Sequence, residues 1–310
     1  MASDNQWDPA HLPSQAGKTF VVTGGNAGIG YFVSEQLAGA GARVVMASRS
    51  KERADVAAAS VRDRVPGGDI GFIRLDLSSL GSIREAAEAI RKLDRVDGLI
   101  NNAGATTGSN DRVVTEDGLE FVVGSNAFGP YALTALAFPA LKAGARVVSL
   151  GSMATRIVKL DPQNLQSTSG RYNFFKAYGY SKHAMHAFAL ELHRRLAASG
   201  SGVESLLAHP GFAVDALGEQ RVGITDNDGA WKKFTDVLSG VMAHGKDRGA
   251  WPVVRAATDP NAKGGEFYGP RRSVSGAPVL VEPIASSASD EFGAEFWRQA
   301  ETATGITFQP

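Results

Sequence analysis

Short apolar runs and longer amphipathic segments alternate along most of the chain. Six runs of five or six residues are rich in aliphatic side chains, as buried strands of a parallel sheet are, and they span 18–23, 42–47, 70–75, 96–100, 145–149 and 203–208. Segments with helical spacing follow the first run up to about residue 40 and recur at 51–65, 79–93, 119–143 and 178–199. This alternation predicts the α/β class, with a doubly wound parallel sheet flanked by helices in a single domain.

The two ends of the chain are less regular. Residues 1–17 are predicted to form a loose, polar N-terminal arm, and the single domain then spans 18–310. An insertion is predicted at about 212–250, followed by a helix at 251–259 and a last edge strand at 265–269. A helical tail at about 285–304 is expected to begin at a Ser289 cap and to pack Phe292, Phe296 and Trp297 on the core.

A glycine-rich turn follows the first predicted strand. It contains Gly24, Asn26, Gly28, Ile29 and Gly30, and a helix follows it. Glycines let the backbone N–H groups and the helix N-terminus approach phosphate oxygens, so the order strand, glycine turn, helix favours a dinucleotide site. Without its flanks, the same stretch would be as typical of an ordinary turn.

The end of the second predicted strand bears on the choice of nucleotide. Arg49 stands where NAD-preferring sites carry an acidic residue for the ribose hydroxyls, and no acid is close to it. An arginine at this place accommodates the extra phosphate of NADP, so NADP(H) is favoured over NAD(H). The alternative is a solvated Arg49 that stacks on the adenine.

A tyrosine and a lysine stand four residues apart in the stretch 177–183. Tyr178 and Lys182 share one helix face by this spacing, whereas Tyr180 points elsewhere. A phenol beside an ammonium can exchange a proton with a reacting oxygen. The pair alone is also typical of a helix with a surface lysine and a half-buried tyrosine.

Composition narrows the class of ligand. The 310 residues include 43% hydrophobic and 21% charged side chains, with 32 basic and 32 acidic residues, so nothing favours nucleic acid or an anionic membrane and a small molecule is the expected partner. The absence of cysteine excludes disulfides, zinc–thiolate sites and a thiol nucleophile, and no metal is predicted. The first 17 residues lack an apolar signal segment and no run approaches a membrane span, so a cytoplasmic location is expected.

The ordered motifs resemble the short-chain dehydrogenase/reductase family, which has a Rossmann-type fold. Ala27 stands where the extended branch of that family has a glycine, so the single-domain branch is the better match. The stretches 146–154 and 209–212 are similar to retinol-dehydrogenase-like and protochlorophyllide-reductase-like members. The motifs that carry the resemblance are the turn 23–30, Asp76, the stretch 101–104, Asn126, Ser152, Tyr178 with Lys182, and Pro210 with Gly211.

The resemblance implies roles for four catalytic residues. Tyr178 would be the acid in reduction and the base in oxidation, and Lys182 would favour its phenolate and hold the nicotinamide ribose. Ser152 would donate to the substrate oxygen, and Asn126 would hold a water in a proton relay to the lysine. Gly151 departs from the family, which usually has the first of two serines there, and Ser149 is a rival that belongs inside a strand.

The resemblance also implies the cofactor contacts and an oligomer. A homo-oligomer, a dimer or tetramer, is expected because the helices that carry Asn126 and Tyr178 commonly pair in the family. The implied cofactor-binding residues are Gly24, Asn26, Gly28, Ile29, Gly30, Arg49, Asp76, Leu77, Asn102, Ala103, Gly104, Tyr178, Lys182, Pro210 and Gly211.

Pro130 lies four residues after Asn126 in the predicted helix 119–143. Because proline has no N–H, the carbonyl of Asn126 is left free and the helix is expected to kink there. Pro130 is thus expected to expose an acceptor near the site. A proline that merely bends the helix around the core is the alternative.

The insertion 212–250 is the expected substrate side. Trp231 and Phe234 belong to an amphipathic stripe that fits either a lid over an apolar substrate or a helix packed permanently on the core. Met153 and Phe212 are further candidates for apolar lining. Asp215 replaces a hydroxyl residue that often contacts the nicotinamide amide in the family, which puts that contact in doubt.

Together these features favour an NADP(H)-dependent oxidoreductase that acts on a carbonyl or secondary alcohol of a bulky apolar molecule. Reduction of an activated C=C bond is a second hypothesis. A non-enzymatic NADP-binding redox sensor is the third, although a sensor has no need for all four catalytic residues.

Overall fold

The strands follow the predicted order. The computed structural model of the protein describes residues 7–105, 107–225 and 243–310. Its strands are β1 (Thr19–Thr23), β2 (Arg43–Ser48), β3 (Ile70–Arg74), β4 (Val96–Asn101), β5 (Leu141–Leu150), β6 (Glu204–Ala208), β7 (Ala213–Val214), β8 (His244–Gly245), β9 (Phe267–Pro270) and β10 (Pro278–Leu280).

Helices connect the strands of the main sheet. They are α1 (Gly28–Gly39), α2 (Lys51–Arg64), α3 (Leu80–Arg91), α4 (Phe121–Val123), α5 (Gly129–Ala137), α6 (Phe174–Ser199), α7 (Lys246–Gly249), α8 (Trp251–Thr258), α9 (Ala285–Ala288) and α10 (Asp290–Thr304). Side-chain caps explain several of the boundaries, since Ser50, Ser79 and Asn173 each accept a backbone N–H of the first turn of their helix. Gly200 ends α6 in the left-handed conformation that favours glycine.

The main sheet has eight strands in the order β3-β2-β1-β4-β5-β6-β9-β10. All neighbours pair in parallel except β9 and β10, which form an antiparallel pair at the edge. The doubly wound parallel sheet is therefore confirmed. The strand predicted at 265–269 is not the last one, because the chain turns back after Pro270 and adds β10 outside it.

Each face of the sheet is covered by helices. Alternate residues of β1 point to opposite faces, so Phe20 joins the layer under α1 and α8, and Val21 joins the layer under α3, α5 and α6. Both side chains are buried. This arrangement leaves the carboxyl ends of the strands open, which is where ligands bind in sheets of this kind.

The C-terminal helix α10 packs on the second layer. Trp297 lies edge-on to Tyr131 of α5 at 5.2 Å between ring centroids and stacks on Phe188 of α6 at 6.1 Å. The hydroxyl of Tyr131 donates to the carbonyl of Ile306 at 3.1 Å. Helix α10 thus covers a surface that α5 and α6 share, so pairing of two copies through that surface would require its displacement.

The predicted helix 119–143 and the predicted insertion 212–250 differ in the structure. The helix predicted at 119–143 ends earlier, in a 3₁₀ turn at Phe138–Ala140, and β5 begins at once at Leu141. Part of the insertion 212–250 forms the parallel pair β7 and β8 instead of lacking strands. Trp231 and Phe234 lie outside the described residues, and with them the predicted lid stripe.

Residues 7–17 of the predicted loose arm are in contact with the domain. Trp7 and Leu12 pack against the first layer of the core, and Gln15 is buried. Its backbone N–H donates to the carbonyl of Ala40 at 2.7 Å, which ties the arm to the end of α1.

The prediction that no apolar run approaches the length of a membrane span is wrong for one helical segment. Phe121–Ala140 is long and apolar enough, with a mean hydropathy of 1.3, but 78% of that stretch is buried inside the protein. A buried core helix passes the same test, so this segment is weak evidence for a span.

Candidate active site

A cleft of about 750 Å³ opens at the carboxyl ends of the strands. The ends of β1 to β4 border it, and α6 closes it on the other side. The predicted residues that line it are Gly24, Asn26, Gly28, Ile29, Gly30, Arg49, Asp76, Leu77, Asn102, Ala103, Gly104, Asn126, Tyr178 and Lys182.

The glycine turn is packed too tightly for other residues. A Cβ on Gly30 would lie 2.3 Å from the carbonyl oxygen of Gly24 and 2.4 Å from Nδ2 of Asn102. Asn102 Nδ2 donates to the carbonyl of Thr23 at 2.8 Å, so β4 is tied to the end of β1 at this point. The turn can therefore hold its shape only with glycine at 30.

The N-terminus of α1 faces the cleft without a side-chain cap. Its first residue, Gly28, has a φ of 55°, and a Cβ there would project into the cleft, 3.8 Å from Nζ of Lys246. Unpaired N–H groups at a helix N-terminus favour an anion, so this end of the cleft fits the pyrophosphate of a dinucleotide.

The adenosine end of the predicted site is basic. Arg49 and Ser50 follow β2, and Arg53 lines the cleft one turn into α2. The N-cap Ser50 accepts the backbone N–H of Arg53 at 3.2 Å, which places both guanidinium groups near the start of the same helix. Arg53 was not among the predicted cofactor-binding residues, although its position in the first turn after Arg49 is a usable signal.

Asp76 lies at the turn after β3. Its Oδ1 accepts the backbone N–H of Ser78 at 3.0 Å and the hydroxyl of Ser78 at 2.7 Å. The carboxylate is thus held in a turn beside Leu77, where both residues border the cleft.

Lys182 and Tyr178 lie on the same face of α6, as the spacing predicts. Lys182 is only 3% exposed, and its Nζ donates to the carbonyl of Leu150 at 2.8 Å. The same ammonium lies 5.7 Å from the ring centroid of Tyr178, which is half-buried. Tyr180 is buried in the core instead, so the structure separates the two tyrosines.

Asn126 is fully buried within a π-helical segment, Gly124–Phe128, between α4 and α5. In this segment the N–H of Gly129 donates to the carbonyl of Gly124, five residues earlier, and a bend of the helix at Pro130 stays a prediction. Asn126 Oδ1 accepts the N–H of Ala105 at 2.7 Å, and Nδ2 donates to the hydroxyl of Ser181 at 3.1 Å.

Asn126 and Lys182 face the same point of the cleft. A Cβ built on Gly104 would lie 3.8 Å from both Asn126 Oδ1 and Lys182 Nζ. Asn126 therefore does not point away from the lysine, the arrangement that would have contradicted its expected role.

Ser152 follows β5 and caps a 3₁₀ turn, Met153–Arg156. Its Oγ accepts the N–H of Ala154 at 3.1 Å, which leaves the hydroxyl proton for another acceptor. Ser152 is half-buried and is not among the residues that line the cleft, although Leu150 is. Ser149 is fully buried inside the strand.

The segment after β6 contributes differently from the prediction. Pro210, Gly211 and Phe212 do not line the cleft, and Phe212 is 48% exposed. Met153, which follows β5, does not line the cleft either. Position 211 has no room for a side chain, because a Cβ there would lie 2.3 Å from the carbonyl oxygen of Val274.

Lys246 lines the cleft but was not among the predicted site residues. It lies near the end of the insertion 212–250, at the start of α7, and its Nζ donates to Asp215 Oδ2. No local spacing links positions 215 and 246, so only the fold brings this ion pair to the glycine turn. Other cleft residues without a prior signal include Phe121 and Ser125.

Three buried histidines lie near the catalytic elements. Burial lowers the pKa of His186 to about 3 and that of His209 to about 4, and it also lowers the pKa of His183. The imidazoles of His186 and His209 are therefore neutral near pH 7. Within residues 7–105, 107–225 and 243–310, no group of three or more acidic, histidine or cysteine side chains is placed to hold a metal.

Sequence comparisons identify relatives of this chain. A family model described as short chain dehydrogenase matches residues 18–220. Mouse polyprenol dehydrogenase is 34% identical over 304 residues, covering 96% of this chain and 87% of that protein. Human retinol dehydrogenase 13 is 41% identical over 212 residues, which cover 66% of this chain and 63% of that protein's length.

Solved structures share the fold. A crystal structure of a protein from Mycobacterium paratuberculosis matches with a TM-score of 0.79 and 33% identity, over 97% of this chain and 98% of that one. The NADP active-site complex of RhlG from Pseudomonas aeruginosa matches with a TM-score of 0.60 and 27% identity, over 83% of this chain and 95% of that one.

Proposed function

The chain belongs to the short-chain dehydrogenase family and is an oxidoreductase of that family, and from this premise we propose its reaction. The enzyme transfers a hydride between NADP(H) and a carbonyl or secondary alcohol of a bulky, apolar small molecule. The observation that carries the proposal is the convergence of Tyr178, Lys182 and Asn126 on one cleft beside the glycine turn.

The cofactor would supply or accept the hydride at its nicotinamide ring. When the carbonyl is reduced, negative charge develops on its oxygen, and the Tyr178 hydroxyl donates its proton there. The Lys182 ammonium, held by the carbonyl of Leu150, stabilises the phenolate that remains. Asn126, fixed by Ala105 and Ser181, supports a proton path to Lys182.

Two guanidinium groups support the preference for NADP(H). Arg49 and Arg53 both border the cleft at the N-terminal turn of α2, where a phosphate on the ribose would meet them and the helix dipole. A related structure is an NADP complex.

The cofactor preference has a direct test. Replacing Arg49 or Arg53 by alanine should raise the Kd for NADPH about ten-fold, because one charge-assisted hydrogen bond to the ribose phosphate is lost. The Kd for NADH should stay nearly unchanged. Lys51→Ala is the matched control, because it removes the same charge nearby but from a side chain that pairs with Asp55. Equal effects on both cofactors would contradict the preference.

The substrate class is supported by the apolar Phe121 in the cleft and by the names of the relatives, polyprenol dehydrogenase and retinol dehydrogenase.

The decisive experiment follows NADPH and NADH absorbance with panels of long-chain prenols, retinoids, aldehydes, ketones and secondary alcohols. Turnover of an apolar alcohol or carbonyl is expected. A saturated ketone as product would favour C=C reduction, and absence of hydride transfer across all panels would favour a redox sensor. The cytoplasmic location and the homo-oligomer stay predictions.

A further inference from the structure

Gly151 and His186 lie in direct contact. A Cβ on Gly151 would lie 2.3 Å from Nε2 and 2.9 Å from Cδ2 of His186. No side chain can therefore occupy position 151 while the imidazole is in place. Gly151 stands where the family usually carries the first of two serines. In this chain that position is matched to His186 on helix α6.

Helix α6 holds the end of β5 at two points. Lys182 Nζ donates to the carbonyl of Leu150 at 2.8 Å, and His186 Nε2 accepts the backbone N–H of Ser152 at 3.4 Å. Between them, the N–H of Gly151 donates to the carbonyl of Ala208 at 2.7 Å. The segment that carries Ser152 is thus tied to the helix that carries Tyr178.

Tyr178, Lys182 and His186 recur at intervals of four residues and share one face of α6. His186 is 1% exposed, and its ring packs edge-on against Phe267 at 5.1 Å between centroids. Its neutral ring can accept at Nε2 only if the proton is on Nδ1. In that tautomer the buried Nδ1–H has no hydrogen-bond partner among the described residues, so the ring is held by the bond at Nε2 and by its packing on Phe267.

We propose that His186 is a positioning residue for Ser152, and that glycine at position 151 is required to admit it. By accepting the N–H of Ser152, the imidazole sets the distance between the serine hydroxyl and the phenol of Tyr178. This inference rests on the proposed function only for the role of Ser152, which is to donate its hydroxyl proton to the substrate oxygen as the family resemblance implies. The contact between positions 151 and 186 is independent of the reaction.

The first test replaces His186 by leucine, which fills a similar volume but accepts no hydrogen bond. We expect kcat to fall ~10- to ~100-fold, as misplacement of a reacting group by a fraction of an ångström to an ångström does, with KM and the Kd for NADPH nearly unchanged. His186→Gln, which retains an acceptor, should recover part of kcat. His193→Leu, on the same helix beside Gly264, is the matched control and should leave kcat unchanged.

The second test is a double-mutant cycle. Gly151→Ser alone should lower the melting temperature because of the clash with the imidazole. Gly151→Ser combined with His186→Val should restore the melting temperature relative to the single serine variant, whereas kcat should stay as low as in His186→Leu because the acceptor for the Ser152 N–H is absent. Additive effects would overturn the required pairing. A kcat for His186→Leu equal to that of His193→Leu would overturn the positioning role.

Amide hydrogen exchange at Ser152 separates this inference from the proposed reaction. Exchange should be faster in His186→Leu than in the unaltered protein, even if no substrate is turned over. Unchanged exchange would overturn the hydrogen bond, and absence of hydride transfer in the unaltered protein would overturn the proposed function alone.

Discussion

The two halves of the sheet build the cleft by different means. The half from β1 to β3 presents the backbone of the glycine turn and of the uncapped start of α1, beside the side chains of Arg49 and Arg53. The half from β4 to β9 presents catalytic side chains, held in place by partners 21 to 55 residues away in sequence, such as Asn126 on Ala105 and Ser181 and Lys182 on Leu150. A backbone site depends on local sequence, whereas a side-chain site depends on how distant elements pack.

The largest effect is expected in the catalytic half. Tyr178→Phe removes the hydroxyl that would donate the proton and should reduce kcat about 10²- to 10⁴-fold, the usual contribution of a general acid, while the nucleotide half still binds NADPH. The measurement is kcat with NADPH beside cofactor fluorescence titration.

Tyr180→Phe is the matched control, because its ring is buried in the core on another side of the same helix. Its kcat should stay close to that of the unaltered protein. Undiminished turnover in Tyr178→Phe would remove this hydroxyl from the mechanism.

The second effect concerns the packing behind the catalytic half. Trp297→Ala should lower the free energy of unfolding by about 3–5 kcal/mol, since a fully buried aromatic ring among Tyr131, Phe188 and Phe308 is lost. Chemical denaturation measures it. Ile157→Ala is the control, with a side chain that is 72% exposed. Equal losses in both variants would show that α10 contributes little to the core.

The third effect is expected from a substitution in the glycine turn, which changes the backbone of the nucleotide half. Gly30→Ala should cost about 1–3 kcal/mol of stability and most of the affinity for NADPH, because the new Cβ meets the carbonyl oxygen of Gly24 at 2.3 Å. Thermal unfolding and cofactor titration report the two losses.

Gly39→Ala, in the same helix, is the control for that change. A Cβ there would find only Val65 Cγ2 at 3.8 Å, so stability should stay level or rise by up to about 1 kcal/mol. Normal NADPH binding by Gly30→Ala would show that the turn tolerates a side chain and that its shape is not what binds the phosphates.

The smallest expected effect is on the pH dependence of stability in the half that carries the buried histidines. Five of the six histidines lie at position 183 or later, and burial lowers the pKa of His209 from 6.5 to about 4. The pKa of His209 is lower in the folded than in the unfolded protein. The stability that the neutral His209 contributes is therefore fully present above pH 6.5 and is lost as the pH falls towards about 4.

His209→Gln should therefore reduce the loss of unfolding free energy between pH 6.5 and pH 5.5 by up to about 1.4 kcal/mol, the value of one pKa unit. Urea unfolding at these two pH values measures it. The exposed His11→Gln variant is the comparison. Identical pH slopes in both variants would contradict the role of burial at His209.

Much of the fold was predictable because its signals are local. The β-branched runs predicted the strands of the parallel sheet, and Gly200 marked the end of α6. The errors arose where distant packing decides. The π-helical segment at Asn126, the early start of β5 and the extra strand β10 depend on neighbours far along the chain.

The sequence by itself determined the class of fold, the glycine turn and the choice of Tyr178 over Tyr180, because strand runs, glycine spacing and the i,i+4 rule act within a few residues. Only the tertiary structure decided that Lys246 borders the glycine turn, that Ser152 lies just beyond the cleft lining, and that His186 occupies the space left by Gly151. These contacts join residues from separate elements, and their distances are set by how helices pack on the sheet.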